Sequence, residues 1–183
     1  MSDPTAPGAL ESVRLFVNTL DIEAGTDQLA DLDSWSAWAG DGQERHISDE
    51  DLRRLRRLRE AIRTALLGNH NRQPLSEETT SELQEALDWS GARPVLLVDG
   101  LGLAPGAQGA QGLAGRVLSA MATAMADGTW TRLKACRDDA CHWAFYDHSR
   151  SRTGQWCSME ICGNRNKQNR WRARQAPQRE DRS

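Results

Sequence analysis

Apolar residues recur at helical spacing through most of the first 130 positions, then give way to short alternating runs. Residues 10–20 set Val13, Phe16, Val17 and Leu20 on one face and predict a first helix. A second is predicted over residues 27–39, with Leu29, Leu32, Trp35 and Trp38 at intervals of three and Gly40 closing it. The third is the clearest. Ser48 precedes an acidic first turn, Leu52, Leu55, Leu58, Ile62 and Leu66 form the stripe, and Gly68 and Asn69 end it. A fourth starts at Ser76, buries Leu83 and Leu87, and stops before Gly91.

The period then shortens. Residues 94–98 predict a strand that breaks at a turn, and the glycine-rich stretch 100–112 predicts a loop or a poor return strand. A helix over residues 113–126 follows, with Val117, Met121, Ala124 and Met125 as its core side and Gly128 as its stop. Helix three carries Arg53, Arg54, Arg56, Arg57 and Arg59. The favoured reading is a solvated outer face, with Glu50–Arg54 and Arg56–Glu60 pairs one turn apart. Trp35, Trp38, Trp89 and Trp130 read as core.

Charge divides the chain more sharply than its net value of −3 suggests. Residues 1–133 hold 12 Lys and Arg against 20 Asp and Glu, whereas residues 134–183 hold 11 against 6. The apolar runs are too short to span a bilayer, and the N-terminus lacks the basic start and apolar stretch of a signal peptide. The expectation is a cytoplasmic protein with reduced thiols.

All four cysteines fall in the basic part, as Cys136-x4-Cys141-x15-Cys157-x4-Cys162. Two close pairs separated by a segment of hairpin length are the spacing of a structural zinc site, and the Cys-x-x-Cys of redox proteins is absent. One structural Zn²⁺ bound by Cys136, Cys141, Cys157 and Cys162 is therefore expected, with His142 a bystander. Residues 143–147 have strand character and residues 155–157 return, so the pairs are expected to bracket a β-hairpin. A helix is expected after Cys162, limited by Pro177. On it Lys167, Arg170 and Arg174 share a face beside Trp171, with Arg165 and Arg172 nearly opposite; Arg150 and Arg152 sit on the preceding turn. These cations suit phosphate contacts, although a solvated tail or docking onto the acidic body fits the charges equally. Arg165 is expected to pair with Asp147 and brace the finger.

Cys162-Gly163-Asn164-Arg165, with Trp156-Cys157-Ser158-Met159 and Trp143-x-Phe145-Tyr146-Asp147, resembles the CGNR zinc finger family. Residues 15–21, Leu-Phe-Val-Asn-Thr-Leu-Asp, resemble the ABATE domain that commonly precedes that finger. The resemblance spans roughly residues 10–175. It implies a bacterial stress-induced transcription regulator for which DNA binding is an inferred role. It also carries over the four cysteines as ligands and Arg165, Lys167, Arg170, Arg172 and Arg174 as the basic positions. Gln155 departs from the arginine often found before the tryptophan. Asn18, Thr19 and Asp21 match the family's N-terminal motif and are read as a capped helix end sooner than a pocket.

The fold class expected is α+β: a mostly helical N-terminal domain with a minor strand element, then a four-cysteine zinc-ribbon or treble-clef-like finger with a basic helix. Residues 1–9 are expected as a disordered tail, 10–130 as the ABATE-like domain, 131–175 as the finger and 176–183 as a second tail. The function expected is zinc-dependent DNA binding by a transcription regulator, nucleoid-associated, whose N-terminal domain senses a small-molecule effector or forms a homodimer. The alternatives are a protein-interaction adaptor and an RNA binder. An enzyme is not expected, because four thiolates leave no open position on the metal and no catalytic set is visible.

Overall fold

The computed structural model describes residues 5–39, 47–98, 100–106 and 108–175. Its spine is helix α3 (Asp49–Gly68), whose start is fixed by a reciprocal cap. The Ser48 hydroxyl accepts from the Asp51 amide at 3.2 Å, and the Asp51 carboxylate accepts from the Ser48 amide at 2.9 Å. The predicted leucine and isoleucine stripe of α3 is buried throughout. The arginine face is solvated only in part: Arg53 and Arg57 are exposed as expected and Arg54 and Arg56 partly so, but Arg59 is not. Arg59 and Arg63 are each only 3% exposed, and Arg56 donates to the Leu29 and Ala30 carbonyls instead of pairing with Glu60. Glu60 serves Arg59 and Arg63, while the Glu50–Arg54 pair forms as predicted. A buried guanidinium needs several acceptors, and Arg59 finds Asp27 through two hydrogen bonds and Thr19 through a third.

Those demands shorten the first two helices. Helix α1 (Leu10–Val17) buries Val13, Phe16 and Val17 but ends before Leu20, which lies in the two-residue strand β1 (Leu20–Asp21). Strand β2 (Thr26–Asp27) pairs antiparallel with it, Leu20 opposite Asp27. Asp27 is thus taken by β2 and Arg59, so α2 (Leu32–Ala39) starts five residues later than predicted. Leu29 is buried ahead of that helix, Trp35 is buried in it, and Leu32 is exposed. Gly40 lies outside the described residues. Of the expected N-terminal tail, residues 5–9 are described: Ala6 is buried, and His148 is hydrogen-bonded to the Thr5 carbonyl.

Helix α4 (Glu77–Ser90) runs between its predicted limits, from the Ser76 cap to Gly91 in the left-handed region. Strands β3 (Arg93–Leu97) and β4 (Gly100–Ala104) form a hairpin, so the glycine-rich segment does supply a return strand. Helix α5 (Gly109–Asp127) begins four residues early. Gly115 serves close packing, since a Cβ there would lie 3.3 Å from the Cα of Pro105. Val117, Met121 and Ala124 are buried as predicted, but Met125 points outward at 40% exposure. None of the described helices is long and apolar enough to cross a membrane.

After a 3₁₀ turn at Trp130–Arg132, strand β5 (Leu133–Ala135) pairs antiparallel with β6 (Ala144–Tyr146). This corrects the expected hairpin. The partner of β6 lies before the first cysteine pair, and in the segment 155–157 the Gln155 carbonyl accepts from the Arg137 amide, with no strand formed there. The reason is burial, since Leu133, Ala135, Ala144 and Tyr146 belong to the same apolar core as α1, α3 and α5. A π-helical turn (Met159–Gly163) then leads into α6 (Asn164–Gln175), the expected basic helix. The fold is mostly helical with minor strands, plus a cysteine cluster beside that helix.

Body and finger are joined by buried hydrogen bonds. Asn18 Nδ2 donates to the Ala144 carbonyl at 3.0 Å and its Oδ1 accepts from the Ala144 amide at 2.7 Å, so an asparagine side chain acts as a further strand on the edge of β6. Arg63 donates to the carbonyls of Val17 and His142, and Asn69 to those of Trp130 and Leu133. Asn18→Ala leaves a backbone donor and an acceptor buried and unpaired, and should cost about 2–4 kcal/mol of stability. The midpoint of denaturant unfolding at constant m-value measures that loss.

Candidate metal centre

The first cysteine pair is positioned by Asp138. Its carbonyl accepts from the Cys141 amide at 2.8 Å and the His142 amide at 3.1 Å, and its carboxylate accepts from the Ala140 amide at 3.2 Å. His142 adopts φ 49°, in the left-handed region, which returns the chain into β6. The second pair is set by the π-helical turn, where the Ser158 hydroxyl accepts from the Ile161 amide and its carbonyl from the Gly163 amide. Gly163 packs tightly there, since a Cβ would sit 3.2 Å from the Met159 side chain and 3.3 Å from the Trp156 ring.

These two bends bring the sulfurs of Cys136, Cys141, Cys157 and Cys162 within 4.8 Å of one another. Cys141 and Cys157 are 3.6 Å apart, Cys157 and Cys162 3.7 Å, and all four are free of disulfides. A regular tetrahedron with Zn–S bonds of 2.3 Å has sulfurs about 3.8 Å apart. The donor set therefore fits a tetrahedral thiolate-binding metal. His142 is not among the clustered ligand atoms; its ring is 3.8 Å from the Asp139 carboxylate.

Electrostatics leads to the same conclusion. The Cys136 thiol is pushed well below its ordinary range because Cys141 and Cys157 donate to its sulfur. Cys141 and Cys157 are pushed up, chiefly by that same interaction with Cys136. Cys162 is pushed up by burial and by the charge on its neighbours. One ionised sulfur thus opposes ionisation of its neighbours, and a divalent cation at the centre would reverse that preference and favour four thiolates.

A second buried charge pair supports the finger. Lys134, 1% exposed, donates to the Asp147 carboxylate at 2.7 Å and to the Arg152 carbonyl at 2.7 Å. Asp147 also accepts from Ser149 and from the Gly154 amide. Gly154 has to lack a side chain, since a Cβ would stand 2.9 Å from that carboxylate. Asp147 is thus already engaged, and the expected Arg165–Asp147 pair does not form. Arg165 bonds instead to Glu23 at 2.5 Å and lies 3.4 Å from Asp138.

The other basic positions are differently placed. Lys167, Arg170, Arg172 and Arg174 are exposed along α6, which buries no residue and contains no carboxylate. Arg150 and Arg152 are exposed on the loop after β6. Trp171 stands 58% exposed among the α6 cations. Asn18 and Thr19 are buried rather than pocket-lining, while Asp21 borders a cavity of about 300 Å³ over the cysteines. Sequence reasoning does not single out Lys134, Asp138 or Glu23. Only Asp138, two residues past a cysteine, carries a local signal.

Burial would raise the Asp147 pKa, but the Lys134, Ser149 and Gly154 hydrogen bonds outweigh it and hold the carboxyl at about 2. A carboxyl held below its unfolded value contributes stability above that value and loses it as pH falls through the folded one. The contribution of Asp147 should therefore be present at neutral pH and vanish between about pH 4 and pH 2. Acid titration of the unfolding free energy beside Asp147→Asn measures it, with the two curves converging at the acid end.

Family models match both parts of the chain. One described as "CGNR zinc finger" covers residues 132–175. One for the ABATE family, described as "Putative stress-induced transcription regulator", covers residues 13–128. Both families are regulatory or zinc-finger families and non-catalytic. A search of the curated proteins finds no match.

Proposed function

Taking as premise that the chain belongs to the ABATE family of regulators and ends in a CGNR zinc finger, we propose that it is a zinc-dependent DNA-binding transcription regulator. Cys136, Cys141, Cys157 and Cys162 hold one structural Zn²⁺. Bound there, the ion supplies charge neutralisation and a rigid crosslink between the two bends, with no open position for chemistry. The acidic body carries the finger and turns it outward.

The observation that carries the DNA reading is α6. A helix of about 18 Å presents Lys167, Arg170, Arg172 and Arg174, has no acidic residue and packs none of its side chains in the interior. Four cations with no ion pair among the described residues, on an unburied helix, have phosphates as their natural partners. Arg150 and Arg152 are further exposed cations of the finger, and the exposed indole of Trp171 adds a surface on which a base can stack. Arg165 is the weakest of the proposed contacts, because two carboxylates already engage it. On this reading a small effector of the body would bind in the cleft of about 500 Å³ between α3 and α4, lined by Arg54, Arg57, Glu82 and Trp89.

Duplex binding measured over a salt series tests this. Wild type should lose affinity steeply with salt. The double variant Arg170→Ala, Arg174→Ala should weaken binding and flatten the log–log slope by about 2. Tighter binding to single-stranded RNA than to duplex would transfer the reading to RNA. Binding only to an acidic protein, unaffected by nuclease, would make the finger an adaptor.

A further inference from the structure

The cavity of about 300 Å³ over the sulfurs is walled on one side by Cys141, Cys157, Ser158, Ile161 and Cys162, and on the other by Asp21, Glu23 and Ala24. The second wall belongs to the body. It is the turn between β1 and β2, held in shape by the Ala24 amide donating to Asp21 and anchored at its base by Asp27 on Arg59. Cys157, the half-buried member of the four, faces this cavity.

One side chain ties the turn to the finger. Arg165, at the start of α6, reaches Glu23 with one terminal nitrogen and Asp138 with the other. Asp138 is the residue whose carbonyl and carboxylate shape the first cysteine pair. Apart from that ion pair its buried Oδ2 has no hydrogen-bond partner. Body turn, finger helix and first cysteine bend therefore meet on one guanidinium. The planar five-donor fork of arginine suits that bridge in a way lysine does not.

We propose that the β1–β2 turn is a lid on the metal centre, latched by Glu23–Arg165–Asp138, so that metal retention depends on the body as well as on the four cysteines. A chelator must approach Cys141, Cys157 and Cys162 through the cavity, and a latched turn narrows the way in. The inference rests on the zinc reading above but not on DNA binding. It makes Arg165 and Glu23 positioning residues and assigns to the body a direct influence on the finger.

The test is transfer of zinc from the full-length protein to a chromophoric chelator, followed by stopped flow. Glu23→Gln removes the charge at the lid without touching a cysteine. It should speed release about fivefold at low salt, the scale of one half-exposed charged pair. Arg165→Gln should do the same, and the double variant should add little, as expected of partners in one interaction. Added salt should narrow the difference by speeding wild type alone. Glu78→Gln, on the exposed first turn of α4 and not among the residues lining the cavity, should release at the wild-type rate. Equal release from wild type and Glu23→Gln, with one zinc bound to each, overturns the latch and leaves the zinc reading standing. A wild type that binds no metal overturns both.

Discussion

Four thiols brought within 4.8 Å of one another cannot all ionise in the absence of a cation, and four protonated thiols leave a cluster held by weak sulfur hydrogen bonds alone. The chain nevertheless uses two separate backbone bends, each with its own hydrogen bonds, to bring them together. That commitment of local structure makes sense around a divalent ion. The rest of the finger follows from it. The first bend returns β6 alongside β5, and the second launches α6 in a fixed direction.

The finger is small but not independent. Its β5–β6 hairpin shares the body's apolar core, and Asn18, Arg63 and Asn69 satisfy its backbone from the residue after α1, from α3 and from the residue after α3. Buried polar groups must be paired, and these are paired across the joint. A helix on a loose tether would lose orientation. Here α6 follows a cysteine cluster whose neighbouring backbone is hydrogen-bonded to the body. The buried Lys134–Asp147 pair plays a matching role within the finger, closing the loop that bears Arg150 and Arg152.

Local patterns in the sequence report local structure faithfully. The Ser48 cap, the leucine stripe of α3, the limits of α4 and the cysteine spacing each depend on neighbours within a few residues, and each is readable. What stays hidden depends on partners far along the chain. Arg59 and Arg63 look like surface arginines until Asp27, Val17 and His142 are placed around them. The pairing of β6 departs from the expected hairpin because turn residues at 148–154 suggest a return strand, while the burial of Leu133 and Ala135, which decides it, is a tertiary fact. Glycines 109 and 112 read as loop formers, yet both fall within α5, where Gly115 lets the helix approach Pro105 closely. Arg165 reads as a brace, but its partner can be chosen only once Lys134 has claimed Asp147.

The account stands on one ion holding four sulfurs. Elemental analysis of the purified protein, run beside alkylation of the native state, addresses that most directly. One equivalent of zinc per chain, with all four cysteines protected until a chelator is added, is the predicted result. Well under one equivalent of any metal, with the thiols alkylated freely in the folded protein, would contradict it.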